Sequence, residues 1–193
     1  LDGGMTEKAL DKIEYNLQSL KSVVDKGYDI VVPNPTCAYM LKQEYPTMTG
    51  NSEDAKTVAS HSFEFGEYLK IIGLEGKLNK DFKSKAGNIA FHAACHTRAQ
   101  FIGNPSADIL GLIPDGSVKV IERCSGHDGT WGVKKKYHDM SLEVGERLFQ
   151  SIQDCEPDVT VSDCPLASLQ IQGATGKKPV HTSQVLMEAY GIA

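Results

Sequence analysis

A chain of 193 residues, 40% hydrophobic and 23% charged, has the composition of an ordinary soluble globular protein of one domain or two tightly packed halves. Its formal net charge of −5 argues against a nucleic-acid footprint, and no apolar run approaches the roughly 20 residues of a membrane span. Five cysteines are too few for a small secreted disulfide scaffold and leave one over, which points to free thiols or metal ligands. The short basic runs, Lys134 to Lys136 near Arg123 and Lys177-Lys178, read as solvated helix ends. Leu1-Asp2-Gly3-Gly4-Met5 carries no signal-peptide pattern, and a first residue other than Met reads as the start of a fragment or a processed product.

Taken in chain order, Thr6 to Lys26 is expected to be a long amphipathic helix, with Leu10, Ile13, Leu17, Leu20 and Val24 on one face and Gly27 as its stop. Tyr28 to Pro33 reads as a short buried strand leading through Asn34-Pro35-Thr36 to Cys37, and Ala38 to Tyr45 as a helix that ends before Pro46. Asn51 to Leu74 reads as two short helices. Glu75 to Gly87 is a charged connection and the expected boundary between a first half, 1–80, and a second, 81–193. The second half reads as strand 88–93, helix 106–113, strand 117–122, a long helix 134–154, strand 158–162 and a last helix 183–190. Strands alternating with helices predict an α/β fold of parallel sheets flanked by helices.

Cys37, Cys95, Cys124 and Cys164 each fall just beyond the carboxyl end of an expected strand. In open parallel sheets that edge is where ligands bind. Four thiols arriving there from distant parts of the sequence point to a soft metal or an iron-sulfur cluster. Cys155, at the other edge, is expected to be structural or free. The segment Arg123 to Gly132 is the densest in polar chemistry. Its glycines Gly126, Gly129 and Gly132 let backbone approach a ligand, and Cys124, Ser125, His127 and Asp128 crowd beside them. Read as a cluster loop, it offers backbone amides to sulfur; read blandly, it is a surface turn.

His92 stands three residues before Cys95 and His96 directly after it, so an imidazole can join the thiolate on one metal, or His92 can be a core histidine. Arg98 can offset thiolate charge or pair with a surface carboxylate. Pro165 sets Cys164 at a helix N-terminus, where a thiolate is stabilised. There is no CxxC pair, no zinc-ribbon spacing, no GxGxxG and no P-loop.

Four segments carry a resemblance: Pro35-Thr36-Cys37 with Leu41-Lys42-Gln43-Glu44-Tyr45-Pro46; His92-Ala93-Ala94-Cys95-His96; Glu122 to Gly132; and Ser162-Asp163-Cys164-Pro165. Together they resemble the cysteine-rich (CCG) domain family, most closely its anaerobic glycerol-3-phosphate dehydrogenase members. The family also holds glycolate oxidase iron-sulfur subunits and heterodisulfide reductase cluster subunits. The resemblance spans nearly the whole chain and implies pseudo-repeated cysteine-rich halves, here without the ferredoxin-like segment and most of the first half. Carried over by position, Cys95 is the lone Cys, Cys124-Ser125 stands at the CCG, and Cys164 with Ala167 stands at the CxxC. Asn34 and Cys37 stand at the CxxC of the first half. Ser125 and Ala167 thus replace two of five thiols.

The resemblance implies an iron-sulfur electron-transfer subunit of anaerobic respiration, relaying electrons from a flavoprotein dehydrogenase subunit to a quinone or thiol acceptor. It is expected to be non-catalytic itself, and cytoplasmic or peripheral at the inner face of the membrane. The implied metal ligands are Cys95, Cys124, Cys164, Cys37 and His96, with Gly126, His127, Gly129, Arg98 and Arg123 around the cofactor. A 4Fe-4S cluster suits four thiolates. The other readings are a zinc-stabilised docking module on the same thiols, or a thiol-redox enzyme using Cys124 or Cys164.

Overall fold

The computed structural model describes residues 3–192 and divides the chain into two compact units, Leu1–Phe65 and Gly66–Ala193. The first unit opens with α1 (Thr6–Val24), whose Ile13, Leu17 and Val24 are buried as their spacing requires. Strand β1 (Ile30–Val32) follows, then α2 (Pro35–Tyr39), started by the Asn34 side chain accepting from the Thr36 amide at 2.9 Å. The helix does not end before Pro46, as expected. It passes through a π-helical turn, Met40–Glu44, into α3 (Tyr45–Met48). The Tyr45 amide reaches back five residues to the Met40 carbonyl, and the wider turn accommodates a proline that a regular ladder would exclude.

The stretch expected as two helices holds α4 (Glu53–Ser60) and α5 (Phe65–Leu74) with a strand between them, β2 (Ser62–Glu64). β2 pairs in parallel with β1, Ile30 opposite Ser62 and Val32 opposite Glu64. Only a neighbour in space marks three residues, Ser-Phe-Glu, as strand, so the segment carried no periodicity of its own. The core of this unit joins Ile13, Leu17, Val32, Ala38, Leu41, Tyr45, Ala55 and Val58.

In the second unit three strands form one parallel sheet, β3 (Asn88–His92), β4 (Ser117–Ile121) and β5 (Val159–Ser162), in the order β4-β3-β5. The central β3 pairs with both neighbours; His92 lies opposite Ile121 on one side and Ser162 on the other. The chain therefore leaves β3 for one side and later returns to the other, which makes the end of β3 a topological switch point. Helices α6 (Cys95–Ala99), α7 (Pro105–Leu110), α8 (His138–Gln153), α9 (Pro165–Thr175) and α10 (Thr182–Tyr190) connect or follow the strands. On one face Ala90 and Ile121 pack with Leu148, Phe149, Ile152 and Ile171 of α8 and α9. The alternating residues Ile89 and Phe91 lie on the other face and are buried as well. The α/β fold with helix-flanked parallel sheets is as expected, and among the described residues no helix is long and apolar enough to cross a membrane.

Leu148 is fully buried in this core while Leu169 is exposed. Leu148→Ala is expected to lower the urea unfolding free energy by about 2–5 kcal/mol. Leu169→Ala should stay within about 0.5 kcal/mol of the parent.

Candidate metal centre

Because the three strands of the second unit end level with one another, equal steps beyond them reach the same region. Cys95 comes three residues after His92, Cys124 three after Ile121 and Cys164 two after Ser162. Cys95 and Cys124 are open to solvent, whereas Cys164 is buried beside Ala94 and Ala167. Burial pushes the Cys95 thiol up; the neighbouring charges of Cys124 and Cys164 push the same way, and Arg98 opposes them. Cys164 is raised chiefly by burial, offset in part by the Ala167 and Leu166 amides at the start of α9. The three thiols thus share one electrostatic neighbourhood, and without a cation the protons of Cys95 and Cys164 are held more tightly.

His92 organises this edge. Its Nδ1 lies 3.0 Å from Ser162 Oγ and its Nε2 lies 3.2 Å from the Arg123 carbonyl oxygen. A carbonyl only accepts, so Nε2 carries the proton and Nδ1 accepts from the serine hydroxyl. One side chain on the central strand thereby ties down the chain leaving β4 and the end of β5. Burial lowers the His92 pKa to about 4. Of the two sequence readings, His92 is the core histidine, since neither ring nitrogen is left for a metal.

Asp163, which directly precedes Cys164, is a second organiser that sequence reasoning passed over. Its Oδ2 accepts from Ser106 Oγ at 2.7 Å and its Oδ1 from the Thr182 amide at 2.9 Å, so the Cys164 loop is joined to α7 and α10. A carboxylate between strand and thiol in Ser162-Asp163-Cys164-Pro165 was the available signal.

The glycine loop after β4 is shaped by close backbone approach. Gly126 has φ +83°, and a Cβ there would collide with the Ser141 carbonyl oxygen of α8. Its amide donates to Cys124 Sγ at 3.3 Å. Ser125, fully enclosed, places Oγ 2.7 Å from His127 Nδ1. Burial lowers the His127 pKa; the Asp128 carboxylate opposes this, and the charge of His96 acts with burial. Gly129 has φ +55° in the turn that follows.

Arg98 pairs with Glu122 at 3.7 Å, and Arg123 contributes its backbone carbonyl to His92 while its side chain borders an open cleft with Arg98, Lys119 and Glu122. His96 is exposed at the second position of α6. Cys37 lies in the first unit, exposed on α2. Cys155 donates its S–H to the Ser151 carbonyl at 2.9 Å and packs against the core at the sheet's far edge.

The donor set decides what can be held. Ala167 offers no ligand atom, and the Ser125 hydroxyl is engaged with His127, so a five-thiolate centre does not fit this unit. The thiols of this unit are Cys95, Cys124 and Cys164 at the site edge and Cys155 at the far edge. A single tetrahedral ion with bonds near 2.3 Å draws its sulfurs to about 3.8 Å apart. Among the described residues no group of three His, Cys, Asp or Glu side chains is gathered closely enough to hold a metal ion.

Residues 89–172 match the model of the CCG family, described as a Cysteine-rich domain, so the resemblance read from the sequence motifs holds over the segment that carries the three thiols. Two curated relatives are oxidoreductase subunits. The chain is 28% identical over 188 residues to a subunit of the anaerobic glycerol-3-phosphate dehydrogenase of Escherichia coli (strain K12), covering 96% of this chain and 47% of that protein. It is 24% identical over 193 residues to a subunit of the fumarate reductase (CoM/CoB) of Methanothermobacter marburgensis, covering 95% of this chain and 35% of that protein. The chain thus spans half or less of the length of these relatives. No solved structure matches it.

Two outcomes follow from this geometry. Between pH 6.5 and about 4 the unfolded chain binds the His92 proton and the folded chain does not. Stability is therefore full above pH 6.5 and is lost as pH falls, by on the order of 3 kcal/mol. Urea unfolding across that range should show this slope, reduced in His92→Gln. Gly126→Ala should cost roughly 2–5 kcal/mol by the same assay, from left-handed backbone plus the clash with Ser141.

Proposed function

We propose that this chain is part of an iron-sulfur electron-transfer subunit of an oxidoreductase, with the cluster held beyond the carboxyl ends of β3, β4 and β5. The observation that carries the reading is the arrival of Cys95, Cys124 and Cys164 at one sheet edge from three adjacent strands that end in register. The match of that segment to the cysteine-rich family and the dehydrogenase and reductase subunits among the relatives support it. The cofactor in this proposal is a 4Fe-4S cluster, which when bound supplies one-electron storage.

The residues of the chain have separable tasks. Cys95, Cys124 and Cys164 would be the thiolate ligands. The Gly126 amide already donates to Cys124 Sγ, a bond that favours the thiolate and raises the potential of whatever it ligates. Arg98 places positive charge near Cys95, and the apolar packing of Cys164 against Ala94 and Ala167 keeps water from that side. Hydrogen bonding and burial are the levers that set a cluster potential. The donor of electrons in this proposal is a flavoprotein dehydrogenase subunit and the acceptor a quinone or a thiol/disulfide couple. The complex would sit in the cytoplasm or at the inner face of the membrane, and residues 1–80 and 81–193 would be pseudo-repeated cysteine-rich halves.

Anaerobic reconstitution with iron and sulfide tests the reading directly. About four iron and four sulfide per chain, with charge-transfer absorption bleached by dithionite, are the expected result. Cys164→Ser should lose most of both. One zinc per chain with no iron taken up would overturn it in favour of a redox-silent thiolate site.

A further inference from the structure

The parallel sheet of the second unit is closed along one edge and open along the other. Beyond β5, Val180 continues the ladder: it bridges Val161 in parallel, its amide donates to the Thr160 carbonyl at 2.9 Å, and its carbonyl accepts from the Ser162 amide at 3.0 Å. Beyond β4, no strand follows among the described residues. In a parallel pair one residue turns both of its backbone groups to the neighbouring strand and the next turns both away. The Ser117 amide donates to the Gly87 carbonyl and the Ile121 carbonyl accepts from the Ala93 amide, so Ser117, Lys119 and Ile121 face β3. Val118 and Val120 therefore direct their amides and carbonyls outward, where among the described residues no backbone group meets them.

The two faces of this edge differ in chemistry. Ile121 is buried against Leu148 and Phe149 of α8, so the pleat puts Lys119 on the α8 side and Val118 and Val120 on the other. Val120 is 37% exposed. Lys119 and Arg123 border an open cleft with Arg98, Glu122, Ser151 and Asp154. Arg147 lies four residues before Ser151 and seven before Asp154, on the same stripe of the helix, and is exposed.

The charges along the edge are unequally engaged. Glu122 accepts from the Asn104 side chain at 3.2 Å and pairs with Arg98 at 3.7 Å, and Asp154 accepts from Gln150 at 2.7 Å. Lys119 and Arg123 are exposed, and among the described residues neither has a carboxylate partner. The uncommitted charge is thus positive, on the α8 side. A second copy of the chain paired along this edge would set these cations among their own kind, which is unfavourable across paired strands.

We propose that the outer edge of β4 takes an extended segment of another protein as an added strand, one in which apolar and acidic side chains alternate. Its backbone pairs with Val118 and Val120. Its carboxylates lie on the α8 side with Lys119, Arg123 and Arg147, and its apolar side chains lie beside Val118 and Val120. Backbone bonds supply the affinity of such a contact and the alternating side chains its specificity. The inference is independent of the iron-sulfur reading.

The test is amide hydrogen exchange by NMR on the full chain, with a short peptide alternating valine and glutamate as the probe and one alternating valine and lysine as the comparison. The glutamate peptide is expected to slow exchange of the Val118 and Val120 amides about tenfold, with far less change at Lys119 and Ile121, which β3 already pairs. Val120→Pro removes an outward donor and no ladder bond, and should weaken peptide binding about tenfold by fluorescence anisotropy. Lys119→Glu combined with Arg123→Glu should reverse the preference in favour of the lysine peptide, which keeps the test decisive if the proline variant does not fold. Equal protection by both peptides, or by neither, overturns the proposal. So does a dimer of the free chain in sedimentation equilibrium that Val120→Pro dissociates, since a second copy then covers the edge.

Discussion

The second unit depends on the two-sided pairing of β3 and on the imidazole at its end. A central parallel strand is hydrogen-bonded on both edges, so its last residue can reach the chain leaving either neighbour. His92 does so with one ring nitrogen to each side, and it does so only as the neutral imidazole. Removing that ring from water is costly, and both of its polar atoms must be satisfied for the fold to tolerate it. The reward is that Arg123, one residue before Cys124, and Ser162, two before Cys164, are placed relative to the strand that carries Cys95.

Around that clamp the chain stiffens the thiol-bearing loops from outside. Asp163 draws in α7 and α10, Gly126 lies against α8, and a side-chain hydrogen bond from Gln170 to Ser141 joins α9 to α8. None of these groups is a candidate ligand. They hold the loops that carry Cys124 and Cys164 against the helices around the sheet.

Much of this was legible in the residues. Short apolar runs bounded by glycine and proline marked β3, β4 and β5, and the long periodic stretches marked α1 and α8. Cysteines immediately after those runs, together with the loop from Glu122 to Gly132, led to the family. Illegible were the elements with no period of their own. Ser62 to Glu64 is a strand because β1 lies beside it, and the helix runs through Pro46 because a π turn absorbs the missing donor. The contacts of Ser125 with His127 and of the Gly126 amide with Cys124 were not legible either, because they depend on how the glycine turn folds against α8.

What the sequence by itself determined is the set of chemical groups and their topological address: three thiols in the second unit, each just past a strand, in a parallel α/β fold. Those follow from local patterns, because strand periodicity and turn residues act over a few positions. Tertiary structure decided the roles. His92 and His127 are both histidines near a cysteine at an interval of three, and nothing local separates them. Strand order and register enclose the first between two neighbours that consume its nitrogens, while the turn at Gly126 sets one nitrogen of the second against Ser125. Hydrogen-bond capacity is finite and is filled by neighbours in space, so residues distant in the chain settle that His92 is structural.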